Sequence, residues 1–194
     1  MIVKLIRTAA EFFQLRDEWN ALLESSSSNC VFLTHEWLSM WWKHLSEGRK
    51  LSILTARDGG KLIGILPLAI CPPRYARMMP HVAEFIGSGV IGSDYLDAII
   101  QRGRECDVLR AFVDEIRRWG LMMQLSQLRR QSCVVAALPQ FLGQDQWRAL
   151  ETGMNVCPFI DLTNHTWETY LIRLAPSSAA NRGVPQPRRR TYLP

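Results

Sequence analysis

A chain of 194 residues, 47% of them hydrophobic and with a net charge of +5, can bury a real core, so it reads as globular, as one domain or two small ones. Its longest apolar run, residues 62–70 with Pro67 inside it, falls far short of the ~20 residues a membrane-spanning helix needs. Arg182, Arg188, Arg189 and Arg190 carry four of the five net charges and residues 176–194 hold no acid, so the body is left near +1 and specific nucleic-acid recognition is not expected of it.

The opening MIVKLIRTAAEFF meets Glu11 before a signal-like apolar core develops and offers no small-residue cleavage site, which makes a cytoplasmic location the expectation. Cys30, Cys71, Cys106, Cys133 and Cys157 are scattered and odd in number, and none stands at metal-ligand spacing from another cysteine or a histidine. They read as reduced structural thiols, with no metal site. His35, beside Glu36 at a helix start, reads as a surface residue.

Thr8-Ala9-Ala10-Glu11 is a capping box, and Phe12, Leu15, Trp19, Leu22 and Leu23 recur at helical spacing, predicting one amphipathic helix over residues 8–24. The run Ser25-Ser26-Ser27-Ser28-Asn29 ends it as a polar loop. Thr34 is the N-cap of a second helix, with Trp37, Leu38, Trp41 and Leu45 on one face and Trp42 beside them. Three tryptophans so close together form either a core wedge or an aromatic wall for a sugar or acyl group.

Residues 51–57 and 61–70 are strand-like, and Asp58-Gly59-Gly60 supplies the positive-φ residues of a tight hairpin. Pro67 lacks an N–H, which predicts a bulge, an edge or a strand end near it. Residues 74–80 read as a basic loop. Gly87, Gly89 and Gly92 spell G-x-G-x-x-G after a strand over 82–86, but no helix start follows them, so the spacing predicts a glycine-rich turn and not a dinucleotide site.

A strand over 95–100, a helix over 105–119, a short strand over 121–125 and a helix over 132–142 follow. Residues 147–156 are ambiguous between strand and hairpin, 159–162 read as a short strand, and Thr166-Trp167-Glu168 opens a last helix. From Ala175 the pattern gives way to a Pro- and Arg-rich tail expected to be disordered; its arginines can touch phosphate without specificity. The mixture predicts an α/β (α+β) layer fold with a mixed sheet flanked by helices.

Three segments together resemble a family: N-C-V-F-L-T-H-E-W-L-S-M-W-W at 29–42, L-S-I-L-T-A-R-D-G-G-K-L-I-G-I-L-P-L at 51–68, and F-I-G-S-G-V-I-G-S-D-Y-L-D at 85–97. They are similar to the first half of the GNAT-type acyltransferases of the CelD class, associated with cellulose and exopolysaccharide biosynthesis and related to the FemAB peptidyl-transferases. Pro158-Phe159-Ile160-Asp161-Leu162, with Trp167, Tyr170 and Leu174, is similar to that family's mid-chain segment, so the resemblance covers residues 12–174.

The resemblance implies a single, incomplete GNAT-like lobe over residues 1–175, with 176–194 as a tail, and a truncated or frame-shifted version of a longer acyltransferase. It implies acyl-CoA as co-substrate, no permanently bound cofactor, and a small-molecule or saccharide acceptor. Gly87 and Gly89 would shape a turn at the substrate, Trp37 and Trp41 would contact it, and Asp94 and Tyr95 would be the catalytic pair that orients an amine or hydroxyl. On the residues alone, the favoured reading is that Asp94 caps the turn and Tyr95 sits in the core. The family's donor-binding pattern, R/Q-x-x-G-x-G/A, does not occur. Self-association through an exposed sheet edge is expected of an incomplete lobe. A non-catalytic saccharide- or protein-binding module using Trp37, Trp41 and Trp42 is the alternative.

Overall fold

The computed structural model describes residues 1–72, 81–89, 92–143, 147–153 and 163–174, with 172–174 by backbone only. Its contacts divide the chain into Met1–Leu150 and Glu151–Pro194. The expected 74–80 loop, the 159–162 strand and the tail lie outside the described residues.

The first unit is a six-stranded mixed sheet between two layers of helices. In order across the sheet run β1 (Ile2–Ile6), β2 (Lys50–Asp58), β3 (Lys61–Cys71), β4 (Val82–Phe85) and β6 (Met122–Met123), while β5 (Ile99–Ile100) pairs with β3 off this path. All pairs are antiparallel except β4 with β6, which run parallel. The Asp58 turn behaves as predicted: Gly59 and Gly60 have φ of 55° and 85°, the two left-handed residues a tight hairpin requires.

Pro67 sits inside β3, opposite Ile53, and the sheet's register shift lies elsewhere, between Ala56 and Arg57. The expected bulge or edge at Pro67 is therefore corrected. Its carbonyl accepts the Ile86 N–H at 2.9 Å, so its nitrogen faces the β4 side. On that side β4 pairs only from Leu68 onward and β5 only up to Ile65, so the missing N–H falls in a gap of the ladder.

One face of the sheet carries α4 (Glu105–Arg117), whose Val108, Leu109, Phe112, Val113 and Ile116 are all buried. Gly64 of β3 admits this helix: a Cβ there would lie 2.3 Å from Val108 Cγ1. α5 (Cys133–Leu142) packs against α4, capped by Ser132, whose Oγ accepts the Val134 N–H at 3.1 Å.

The single helix expected over 8–24 is two, α1 (Ala9–Gln14) and α2 (Arg16–Glu24), turning at Leu15. Leu15 closes α1 with its N–H on Phe12 O at 3.1 Å, and its own carbonyl starts α2 by accepting the Trp19 N–H at 2.7 Å. Phe12 and Trp19 still reach the same core, with ring centroids 5.3 Å apart. The capping box forms at Thr8, which accepts the Glu11 N–H at 3.3 Å, although the Glu11 carboxylate turns to the Thr8 hydroxyl and Lys4.

His35, expected at the surface, is buried at 4% exposure. Its Nε2 bonds to Phe12 O at 3.0 Å and its ring lies against Phe12 and Trp19, so it closes the joint between α1, α2 and α3 (His35–Leu45). Helical position gave the exposed side to Glu36 instead. Asn20 and Arg16 of α2 both donate to that carboxylate and hold it at about 2.

The strand expected over 95–100 is only β5. Tyr95 has φ +59°, which no strand tolerates, and the Leu96 N–H leaves the sheet to bond Gln127 O at 3.0 Å. The polar loop after α2 is likewise partly interior: Ser26 and Ser28 are buried, and Ser28 Oγ donates to Ala98 O at 2.8 Å. In the second unit, α6 (Trp167–Leu174) follows Thr166, whose Oγ1 accepts the Thr169 N–H at 3.3 Å, as an N-terminal cap should.

Candidate functional site

β4 ends at Phe85 and the chain turns sharply through Ile86, Gly87, Ser88 and Gly89. Gly87 and Gly89 have φ of 99° and 126°, values an L side chain rarely adopts, so both are turn glycines; Gly92 is not in the left-handed region. A Cβ on Gly87 would lie 3.0 Å from Ser93 Oγ and 3.1 Å from Leu38 Cδ2, so the turn is also pressed closely onto α3.

The Ser88 N–H closes the turn on Phe85 O at 3.2 Å. The N–H groups of Gly87 and Gly89 have no acceptor among the described residues. Ser88 is 5% exposed, and its Oγ is buried without a hydrogen-bond partner. A buried hydroxyl left unpaired costs about 1–3 kcal/mol, so Ser88 Oγ is a polar atom that the described residues leave without a partner.

Trp37 is brought to this turn. Its indole Nε1 donates to Ser93 Oγ at 2.9 Å, and its ring stands edge-on to Phe32 at 5.2 Å. Trp41 is not: it is 6% exposed, packed under the Arg49 guanidinium, which lies 5.4 Å above its ring and donates to Glu84 at 2.6 Å. The three tryptophans therefore form no continuous open wall, because Trp41 belongs to the core under that ion pair.

Asp94 and Tyr95 follow Ser93 directly. Asp94 is exposed and has no partner among the described residues; Tyr95 is half-buried with the Arg129 guanidinium 4.3 Å above its ring. Neither alternative from the sequence is realised, since Asp94 caps nothing and Tyr95 is not in the core.

Asp97, the last residue of the S-D-Y-L-D stretch, is the group the sequence reading passed over. Its Oδ1 accepts from Ser132 Oγ at 2.7 Å and from the Ala98 N–H at 2.8 Å, and Ser28 Oγ lies 3.4 Å from Oδ2. Burial pushes this carboxyl above its ordinary 3.8, against the pull of those hydrogen bonds. The network ties the loop after α2, the 93–98 segment and the start of α5 into one piece, and so fixes the stretch that bears Asp94 and Tyr95. Its signal in the sequence is weak: a carboxylate and two serines 69 and 35 residues away.

Thiolate catalysis is not supported at the half-buried cysteines. Burial raises Cys133 to about 12, helped by the Asp97 and Glu105 charges, and raises Cys71 to about 11, so both are neutral thiols near neutrality. Burial also raises Cys30. No three metal-ligating side chains stand together, and no helix is long and apolar enough to cross a membrane, among the described residues. Two shallow depressions, of about 320 and 200 Å³, lie elsewhere, one beside Arg104 and Asp107 and one beside Ser52 and Trp119.

No protein-family model and no curated protein matches the chain. Among solved structures, the ribosomal-protein-alanine N-acetyltransferase from Brucella melitensis biovar Abortus 2308 is similar over 82% of this chain and 100% of its own, at 15% identity and a TM-score of 0.38. A likeness this remote assigns neither family nor activity. The CelD-class resemblance rests on its sequence segments alone.

Proposed function

We propose that the chain is an acyltransferase lobe, moving an acyl group from acyl-CoA to the amine or hydroxyl of a small-molecule or saccharide acceptor, in keeping with the cellulose and exopolysaccharide association of the class it resembles. The observation that carries this reading is the turn leaving β4, with two N–H groups that have no acceptor among the described residues, a buried unpaired hydroxyl, and Ser93, which directly precedes the exposed Asp94, packed against Gly87. Glu84-Phe85-Ile86-Gly87-Ser88-Gly89 also has the glycine spacing of R/Q-x-x-G-x-G/A, with glutamate in the first place.

In the reaction, the acceptor nitrogen or oxygen attacks the thioester carbonyl. A C–N or C–O bond forms, the C–S bond breaks, the acceptor's proton is taken up by a base, and the departing thiolate of CoA is protonated. Asp94 is the base, and the Gly87 and Gly89 N–H groups, which have no acceptor among the described residues, are the donors to the oxyanion of the tetrahedral intermediate. Tyr95 positions the acceptor, and the Trp37 ring forms the wall beside it. The fold supplies orientation, which accounts for much of the acceleration of such a two-substrate transfer.

The test is release of free CoA from acetyl-CoA with a panel of amines and hydroxyl compounds. Asp94→Asn is expected to lower kcat by about 100-fold, the size of a general-base contribution, with KM for acyl-CoA little changed. Turnover by the variant equal to that of the parent chain would remove Asp94 from the mechanism.

A further inference from the structure

We propose that Arg129 is an anion-recognition residue, and that the acceptor, on the acyl-transfer reading above, carries a carboxylate or phosphate beside its nucleophile. The Arg129 side chain is exposed and its guanidinium carbon lies 4.3 Å from the Tyr95 ring centroid, yet it makes no ion pair among the described residues. A guanidinium held over an aromatic ring by cation–π attraction still has N–H donors to offer, and two of them can bond an anionic oxygen pair.

The backbone that holds this stack is strained on both sides. Tyr95 and Gln127 have φ of 59° and 58°, left-handed values for non-glycine residues, and the two turns are joined by the Leu96 N–H on Gln127 O at 3.0 Å. Such conformations cost free energy and persist where the surroundings impose them, which is common at ligand sites. Here their effect is to bring the Tyr95 ring under Arg129.

Asp94 adds the complementary charge. It precedes Tyr95 in the chain, is exposed, and has no ion pair among the described residues. A cation over the Tyr95 ring and an anion on the preceding residue, each without an ion pair among the described residues, match a ligand with an amine at one end and an anionic group at the other.

Binding to the full chain is measured with β-alanine, O-phosphoethanolamine and propylamine, following the Arg129 Nε–H and Tyr95 ring resonances by NMR. At least one of the two anionic probes is expected to saturate with about tenfold or greater preference over propylamine, the scale of a charge-assisted hydrogen-bond pair. Arg129→Gln, an exposed substitution whose folding is checked by circular dichroism, should abolish that preference, and Arg129→Lys should restore part of it. Equal binding of all three probes, or a preference unchanged in Arg129→Gln, would overturn the assignment. Anion-dependent binding without acyl transfer removes the transfer reading and keeps this site; transfer to propylamine insensitive to Arg129→Gln does the reverse.

Discussion

Asp97→Ala lowers the unfolding free energy by about 3 kcal/mol, because it strands the Ser132 hydroxyl and the Ala98 N–H in a buried place with no other acceptor. Asp97→Asn keeps an oxygen for both donors and costs much less. The same carboxyl carries a pH signature. Its folded value lies above the ordinary 3.8, so the folded state holds this proton longer than the unfolded one. Stability from this group is therefore greatest at low pH and falls as pH rises from 3.8 through the raised folded value. Urea unfolding of the parent chain and Asp97→Asn across that window checks the sign: the Asn variant should lose this decline. A parent curve that instead gains stability from this group with rising pH would mean that Asp97 is better paired than buried.

Gly64→Val is expected to cost about 3 kcal/mol, at the upper end of overpacking effects. The glycine faces Val108 so closely that a Cβ would sit 2.3 Å from its Cγ1, with the Phe112 ring and the Ala56 Cβ each at 3.4 Å on other sides. β3 cannot move away, because it pairs with β2 on one side and β5 on the other at this position. α4 must lift, opening the core over the middle of the sheet. A cycle of Gly64→Ala with Val108→Ala tests the cause, since the pair should be closer to the parent than the two separate losses sum to. Additive losses would show that the contact is not the reason.

What the sequence made legible was local. Thr34 as a cap, the Gly59-Gly60 hairpin turn, the apolar face of α4 and the turn role of Gly87 and Gly89 each depend on residues within a few positions of one another. Three of the misreadings share one cause, a long-range partner that overrides the local rule. His35 is buried because Phe12 and Trp19, from an earlier helix, close over it. Pro67 is tolerated in a central strand because two later strands leave a gap beside its nitrogen. Tyr95 leaves the β region because Leu96 bonds to Gln127 across the fold. In the candidate site, Asp94, Tyr95 and Trp37 could be named from sequence, whereas Asp97, Ser88 and Arg129 acquire meaning only from neighbours far away in the chain.

The measurement that bears most directly on acyl transfer is a calorimetric titration of the folded, full chain with acetyl-CoA and a longer acyl-CoA, beside Ser88→Ala. Removing a buried, unpaired hydroxyl should leave stability unchanged or slightly raised. The account predicts saturable binding by the parent chain and binding weakened in Ser88→Ala, with unfolding curves that coincide or favour the variant. No saturable heat from either acyl-CoA in a folded sample, or equal affinity in both chains, would contradict a substrate site at the turn that leaves β4.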